Sequence, residues 1–307
     1  MALISVVLSF RNEAPLLPTL ISRLTDAMTS TGDTHELIFV NDASTDGSLD
    51  LLKTHARGDS RVKVITMSRR FGPAECVLAG LRAASGDAVV IMDADLQDPP
   101  EVVPSLVARW KEGVEVVHTI RTARPGEPRG KMMMTRLAYH LIRRMADIDL
   151  RVEAGDFKLL GRRAVTELLR LPETDPYLRG LVSWVGFRQE YIPYARAPRP
   201  AGQSHFPFFS PNPWRTVLSG LTSFSVTPLL IFLPLAVALL LAGAGVGVWA
   251  GVTHASAITW LTALVLALSG LHLLGIGVLG VYLARVYRDG RKRPPYIVDQ
   301  TIGWPDA

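Results

Sequence analysis

The sequence predicts an α/β domain with a mostly parallel sheet covered on both faces, followed by two C-terminal transmembrane helices. Three observations predict this fold class. Over the first 120 residues, short apolar runs alternate with segments of helical periodicity. The run at 88–92 is continuously apolar, which is typical of a central strand buried on both faces. Residues 216–284 contain no Asp, Glu, Lys or Arg, whereas charges are spread throughout the chain before them.

The individual elements follow from this alternation. Apolar runs predict strands at 3–10, 36–40, 62–67, 88–92 and 114–119. Helical spacing predicts helices at 16–28, 48–55, 73–84 and 100–110. Further along, the pattern predicts helices at 132–145 and 159–171, a strand at 189–194, and loops at 121–131 and 198–213. Because ligands of parallel α/β sheets bind at the carboxyl ends of the strands, functional residues should directly follow the apolar runs.

The two long apolar segments at 226–250 and 257–284 exceed the roughly 20 residues that a membrane-spanning helix needs. Trp249 and Trp260 flank the link between them, as tryptophans at a membrane interface do. A helical hairpin buried in a soluble core is the alternative. The complete lack of charge over so long a stretch argues against it.

Basic residues lie on the outer side of both apolar segments. Arg215 precedes the first, and the second is followed by Arg285, Arg288, Arg291, Lys292 and Arg293. By the positive-inside rule, both outer ends face the cytoplasm, which predicts a multi-pass protein of the plasma membrane. We therefore divide the chain into a cytoplasmic domain (1–211), an interfacial segment (212–225), two spans (226–250 and 257–284) and a cytoplasmic basic tail (285–307).

Composition narrows the possible partners. The net charge of +5 and the isoelectric point near 9.5 fit an anionic partner, such as a lipid headgroup or a phosphate. Nucleic acid is not expected, because the chain has no recognised binding motif and no basic stripe with interleaved aromatics. The single cysteine, Cys76, excludes an intramolecular disulfide and agrees with a reducing compartment. The apolar run at 3–10 is too short for a signal peptide and has no basic region before it.

The most specific local feature is Asp93-Ala94-Asp95, directly after the central strand. Two carboxylates one residue apart at a strand end can be aimed at one hard cation. Mg²⁺ and Mn²⁺ take oxygen ligands and commonly bridge protein carboxylates to substrate phosphates. A solvated loop is the alternative for so short a motif. Its continuation as DADLQDPP and its position after a strand favour the metal site.

Two more polar clusters follow predicted strands. In VNDASTDGS, a carboxylate such as Asp42 can accept a hydrogen bond from a nucleobase imide or a ribose hydroxyl. Asp46 is interpreted as mainly structural, because Thr45 or Asp46 can cap the helix that follows. The third cluster, SFRNE at 9–13, would on its own be an ordinary helix start.

The segments SVVLSFRNE, IFVNDASTDGS, ASGDAVVIMDADLQDPP, GDFKLLGRRAV and LRGLVSWVGFRQ occur in this order along the chain. Together with the two C-terminal spans and the tail KRPPYIV, they resemble the family-2 inverting glycosyltransferases of GT-A fold. Within that family, the chain is similar to the polyprenyl-phosphate glycosyltransferases, which include the bactoprenol glucosyltransferases and the dolichol-phosphate mannose synthase group. The resemblance covers nearly the whole chain and is specific for the group, not for the sugar.

The resemblance implies roles for individual residues. The nucleotide-sugar pocket would be lined by Ser9, Arg11, Asn12, Glu13, Asp42 and Asp93. The metal, Mg²⁺ or Mn²⁺, would be held by Asp93, Asp95 and Gln97. Asp156 and Asp95 would be the catalytic residues, with Asp156 near the reacting sugar. The lipid phosphate would meet Arg121, Arg124, Lys131, Arg196, Arg199 and Ser204.

The chain departs from the family pattern at two places. The loop GQSHF at 202–206 corresponds to the family's GxSKY, so His205 replaces the lysine; Arg196 or Arg199 can substitute for it. Asn41 replaces the commoner first aspartate of DDGS. The resemblance also implies a homo-oligomer, with a tetramer as the first candidate.

The implied reaction moves a sugar from a nucleotide sugar to polyprenyl (undecaprenyl) phosphate with inversion. A phosphate monoester has a second pKa near 6 and is largely dianionic at pH 7, so a strong general base is not required. UDP-glucose is the expected donor, and UDP-GlcNAc, UDP-galactose, GDP-mannose and an aminoarabinose donor stay open. Two other functions are weighed. A processive polysaccharide synthase would carry Gln-X-X-Arg-Trp, but Leu106 stands where Gln is needed before Arg109-Trp110. A non-catalytic membrane scaffold would not need the intact aspartates.

Overall fold

The computed structural model describes residues 1–122, 154–173, 176–197, 223–253 and 257–304. The α/β domain contains eight strands: β1 (Leu3–Phe10), β2 (Thr34–Asn41), β3 (Val62–Met67), β4 (Ala88–Asp93), β5 (Val116–Arg121), β6 (Ala154–Gly161), β7 (Gln189–Tyr194) and β8 (Val298–Ile302). The helices are α1 (Leu17–Thr31), α2 (Ser48–Gly58), α3 (Pro73–Ala83), α4 (Val103–Lys111), α5 (Arg162–Arg170), α6 (Leu178–Trp184), α7 (Thr227–Leu230), α8 (Phe232–Thr253) and α9 (Ala257–Gly290).

All eight strands form one sheet in the order β7-β5-β6-β4-β1-β2-β3-β8. The central strands β4, β1, β2 and β3 are parallel, as are β5 and β7, while β6 and β8 run antiparallel to their neighbours. The predicted fold class, a mostly parallel α/β sheet with two apolar C-terminal helices, is thus confirmed.

Apolar side chains cover both faces of the sheet, which explains why the central strands are apolar throughout. Leu8 and Phe39 face the core formed with α1 and α4. Val7 and Ile38 point to the opposite face, where α3, α5 and α6 pack. A methyl group at Gly80 of α3 would overlap Val7, so this helix lies against β1 only because the position has no side chain.

The helix expected at 159–171 is wrong at its start. Residues 154–161 form the strand β6, and helix α5 begins only at Arg162. Phe157 and Leu159 enter one core, whereas Leu160 enters the other. A short apolar run of this kind does not distinguish strand from helix by periodicity. Residues 154–161 form a strand because they pair with β4 on one side and β5 on the other.

The C-terminal region also differs from the expectation. Helix α9 continues past the predicted end at 284 to Gly290. The tail then returns to the α/β domain, where Ser68 donates a backbone hydrogen bond of 3.0 Å to Ile297 and β8 pairs antiparallel with β3. Lys63 lies 5.3 Å from the ring centre of Trp304. Residues 298–302 are therefore an edge strand of the sheet.

Two helical stretches are long and apolar enough to cross a membrane by length and composition, Thr227–Gly245 and Leu268–Gly290. Apolar side chains on both, such as Leu241 and Leu273, are about 70% exposed. Because no protein covers them in the monomer, lipid is the environment that suits these surfaces.

Candidate active site

The carboxyl ends of β1, β2 and β4 meet at one edge of the sheet. Ser9 of β1 stands in register with Val40 of β2 and with Asp93 of β4. The Ser9 hydroxyl donates to Asp93 Oδ1 at 3.5 Å. The loops after these three strands therefore surround one cleft, and it contains most of the described residues that the sequence singled out.

Each of the three strands is followed by a non-glycine residue with positive φ: Asn12 (56°), Ala43 (52°) and Leu96 (56°). Such backbone is rare and persists only where surrounding contacts impose it. The Asn12 side chain supplies one of these contacts, because its Oδ1 accepts a 2.8 Å hydrogen bond from the Thr45 backbone. Asn12 thus ties the first loop to the second, and its place in the nucleotide pocket, which the family resemblance implies, stays a prediction.

The rest of the SFRNE cluster is built into the same loops. The buried Glu13 donates its backbone N–H to the Ser48 hydroxyl at 3.0 Å. Asp46 accepts backbone hydrogen bonds from Ala14 and Ser48, at 3.2 and 3.1 Å, in agreement with its predicted structural role. Arg11 is half-buried, and its Nε has no hydrogen-bond partner within the described part of the chain.

Asp42 is buried at the end of β2. Its Oδ1 accepts backbone hydrogen bonds from Phe71 and Gly72, at 2.7 and 3.2 Å. Gly72 has a φ of 128°, which glycine adopts at little cost. Asp42 therefore holds the loop after β3 against the loop after β2.

Within the described part of the chain, the carboxylate of Asp93 lies close to those of Asp95, Asp98 and Asp156. Desolvation raises the pKa of Asp93 to about 7, and the neighbouring Asp156, Asp95 and Asp98 act in the same direction. Asp95 Oδ1 accepts the Gln97 backbone N–H at 3.1 Å, which fixes the loop after the strand. No basic side chain in the described ranges forms an ion pair with Asp93 or Asp95.

Asp156, by contrast, is fully compensated. Arg179 Nε donates to Asp156 Oδ1 at 2.7 Å, and Arg179 Nη2 donates to Oδ2. Desolvation acts to raise the pKa of Asp156, but Arg179, followed by Lys158 and Arg121, outweighs it and holds this pKa well below its usual range. Lys158 lies two residues along β6 and is 4% exposed. Its burial lowers its pKa to about 8.

A further carboxylate, Asp98, connects the cleft to strands β5 and β7, and burial raises its pKa. The hydroxyl of Tyr194 donates to Asp98, and Arg121 Nε donates to the same hydroxyl at 3.2 Å. Arg196 Nε lies 3.6 Å from Asp98. The Ala197 backbone N–H donates to the Gln97 carbonyl at 2.9 Å, so this strand end is fastened to the Asp93–Asp98 loop.

The donor set fits a hard divalent cation. Asp93 and Asp95 form no ion pair with a basic side chain of the described ranges, and carboxylate oxygens are the ligands that Mg²⁺ and Mn²⁺ prefer. Among the described residues, no three His, Cys, Asp or Glu side chains are grouped to hold a metal by themselves. A cation here would therefore complete its shell with oxygens from other sources, such as a bound diphosphate or water.

Several of the predicted site residues and elements lie in parts of the chain that the structure does not describe. Arg124, Lys131, Arg199, Ser204 and His205, together with the predicted helix at 132–145 and the loop at 198–213, lie outside the described residues. Conversely, the sequence reasoning missed Arg179, Lys158, Tyr194 and Asp98 as members of the site. Arg179, Lys158 and Asp98 lie in the segments LRGLVSWVGFRQ, GDFKLLGRRAV and DADLQDPP, which carry the family resemblance. Their position in these segments was the sequence signal that could have marked them as site residues.

Comparisons with known proteins show the family of the chain. The model of "Glycosyl transferase family 2" matches residues 5–169. An uncharacterized glycosyltransferase of Bacillus subtilis, YkcC, is 39% identical over 97% of this chain and 94% of its own. The prophage bactoprenol glucosyl transferase homolog of Escherichia coli is 32% identical over 96% of this chain and 98% of its own. The bactoprenol glucosyl transferase of Shigella phage SfV is 32% identical over 96% and 97%.

Proposed function

Because this chain belongs to glycosyl transferase family 2, and is a glycosyltransferase, we propose that it transfers a sugar from a nucleotide sugar to polyprenyl phosphate. The single observation that carries the proposal is the cleft with two carboxylates, Asp93 and Asp95, beside the compensated Asp156. Relatives named bactoprenol glucosyl transferases, similar over nearly the full length, support the lipid acceptor and make UDP-glucose the first donor to test.

The donor would bind along the ends of β1 and β2. Asp42, whose Oδ1 accepts two backbone hydrogen bonds, offers its Oδ2 to a base or ribose donor group. Arg11 brings its Nε, which has no hydrogen-bond partner in the described ranges, near the same loops. The diphosphate would then extend toward Asp93 and Asp95. A divalent cation held there, with Gln97 as a further candidate ligand, would neutralise negative charge on the departing nucleoside diphosphate.

The acceptor needs cationic surroundings rather than a base. An oxygen of the dianionic lipid phosphate attacks the anomeric carbon, the bond to the diphosphate breaks, and the configuration inverts. Asp156 is a poor candidate for a general base, since Arg179 and Lys158 stabilise its ionised form. Instead, Asp156 orients Arg179 in the cleft. Arg121 and Arg196 are described cations near the same edge that can meet the lipid phosphate.

The proposed membrane arrangement follows from the two apolar helices. The domain 1–211, the segment 212–225 and the tail 285–307 would lie on the cytoplasmic side, with spans at 226–250 and 257–284. Labelling of introduced cysteines tests this orientation, because the native Cys76 is buried and should not react with a maleimide.

In intact cells, a membrane-impermeant maleimide should label Val252→Cys but not Asp299→Cys. The reverse pattern would refute the orientation. The homo-oligomeric state stays a proposal.

The function is tested with a panel of radiolabelled UDP-glucose, UDP-GlcNAc, UDP-galactose, GDP-mannose and UDP-aminoarabinose, each with undecaprenyl phosphate vesicles and Mg²⁺ or Mn²⁺. We expect one donor to give a labelled lipid that extracts into organic solvent. Use of GDP-mannose alone would correct the donor and leave the class of reaction intact. Label in an insoluble polymer would favour a processive synthase, and no incorporation from any donor would contradict the proposal.

A further inference from the structure

The C-terminal part of helix α9 contacts the segment before the first apolar helix and the α/β domain. The Tyr282 hydroxyl donates to the backbone carbonyl of Ser225, just before the first apolar helix. Arg285 Nη2, one turn further along α9, lies 3.2 Å from Glu173 Oε2. Both partners of this ion pair are largely shielded, with side chains 12% and 27% exposed. The apolar helix pair is thus fastened to the domain by side-chain contacts as well as by the chain itself.

Next to Ser225, Phe224 extends this contact to helix α6. Its ring packs edge-on against Tyr177, with centroids 6.3 Å apart and planes at 62°. Gly180 of α6 lies directly against the same ring, and a Cβ at this position would overlap it. Phe224 therefore fits against α6 only because residue 180 has no side chain.

The neighbour of Gly180 is Arg179, which makes the paired hydrogen bonds to Asp156 in the cleft. Helix α6 is only seven residues long, and so short a helix has little stability of its own. Its position is set by what it packs against: Leu181 and Val182 face the core of the domain, and Phe224 covers Gly180. A continuous set of contacts thus joins α9 through Phe224 and α6 to Arg179.

We propose that Phe224 and Gly180 are positioning residues, which set the place of Arg179 in the cleft according to how α9 is seated on the domain. The inference rests on the proposed function, in which Asp156 orients the guanidinium of Arg179 in the cleft. Its consequence is that the catalytic cleft is fully assembled only when the apolar helix pair is docked, where the lipid acceptor is found. A displacement of about 1 Å in such a group can cost on the order of 100-fold in rate.

The test compares Gly180→Ala with Gly280→Ala in the full-length protein, reconstituted in vesicles with undecaprenyl phosphate. Both changes add one methyl group to a helical glycine, but the Cβ at 280 meets nothing within 4 Å. We expect Gly180→Ala to lower kcat on the order of tenfold or more, while the KM for the nucleotide sugar and the affinity for UDP stay within about twofold. Gly280→Ala should match the wild type.

Two outcomes would overturn the inference. Turnover by Gly180→Ala equal to that of Gly280→Ala would show that the contact does not position Arg179. Parallel loss of UDP binding and turnover would show that it merely supports the fold. If the wild type and Gly280→Ala also make no labelled lipid, the proposed function itself fails, which is a distinguishable result.

A second set of variants tests the docking without touching α6. Glu173→Arg and Arg285→Glu should each lower kcat, because each places like charges together, and the double reversal should recover turnover to within about threefold of the wild type. The basic residues that follow Arg285 keep the tail positively charged in every variant. Single variants with full turnover, or a double variant no better than the weaker single one, would contradict the docking.

Discussion

The guanidinium of Arg179 on α6 donates two hydrogen bonds to the carboxylate of Asp156 on β6, and Nε lies 2.7 Å from Oδ1. The pair joins a helix on one face of the sheet to the carboxyl edge where Asp93 and Asp95 lie. It keeps Asp156 ionised, so that this carboxylate orients a cation instead of accepting a proton. In the proposed function, Asp93 and Asp95 are the carboxylates that would hold a metal ion.

Replacing Arg179 by Lys should therefore be costly. Lysine keeps the positive charge but cannot make the bidentate contact with Asp156, so the charged group at position 179 is no longer held in place. We expect kcat to fall on the order of 100-fold in the lipid transfer assay. Arg170→Lys is the matched control, because Arg170 pairs with Glu167 on the exposed side of α5 and should tolerate the change. Equal activity of the two variants would argue against a role for Arg179.

Asp95→Asn should remove metal-dependent turnover while the protein still inserts into membranes. The change preserves the shape of the side chain but removes one of the two carboxylates of the proposed metal site. We expect activity to fall on the order of 100-fold, with a raised requirement for Mn²⁺ or Mg²⁺ in a metal titration. Asp50→Asn, on the exposed side of α2, is the control. Undiminished activity of Asp95→Asn at low metal would remove the metal assignment.

Tyr194→Phe deletes the hydroxyl that bridges Asp98 and Arg121 while retaining the edge-on contact with Phe157. Arg121 then loses its support, and the KM for undecaprenyl phosphate should rise roughly tenfold, with the affinity for UDP unchanged. Tyr287→Phe serves as the control, since Tyr287 is 63% exposed on α9. An unchanged acceptor KM would show that Arg121 does not depend on this bridge.

Stability should depend on pH through His118, which is buried on β5 and stacks on Tyr191. Burial, together with the nearby Lys158, lowers the pKa of His118 to about 4, whereas an unfolded histidine titrates near 6.5. The unfolded state thus binds the proton more readily, so stability falls as the pH decreases from about 6.5 to about 4. The loss should be on the order of 2–3 kcal/mol.

This loss is measured by urea unfolding of the detergent-solubilised protein at a series of pH values. His118→Phe keeps the stacking on Tyr191 but cannot titrate, so it should show a flatter pH profile between 6.5 and 4. An identical profile for the variant and the wild type would show that His118 is not the responsible group.

The local pattern was sufficient for the part of the fold where each strand is apolar and is followed by a helix. The strands β1 to β4 and the acidic clusters after them were predicted, because buried parallel strands leave continuous apolar runs. The strands β6 and β8 were not. The segment AGDFKLLG carries Asp156 and Lys158 among its apolar residues, and VDQTI is largely exposed, so neither has the pattern of a buried strand.

The candidate active site, like the fold, could be predicted only where its residues are close together in the sequence. Asp93 and Asp95 could be found because their chemistry depends on adjacent positions in the sequence. Arg179 and Tyr194 could not be found in this way, since their partners Asp156 and Asp98 lie 23 and 96 positions away along the chain. Such long-range ion pairs and hydrogen bonds are fixed by tertiary packing, so the spacing of residues along the chain does not indicate which side chains pair.

The most direct test follows radiolabel from UDP-glucose in vesicles that contain the purified wild-type protein, undecaprenyl phosphate and Mn²⁺, with the Asp93→Asn variant in parallel. We predict that the wild type produces a mild-acid-labile labelled lipid in proportion to the acceptor supplied, and that the variant does not. Label that never enters the lipid fraction with any nucleotide sugar, or equal incorporation by the two proteins, would contradict the account.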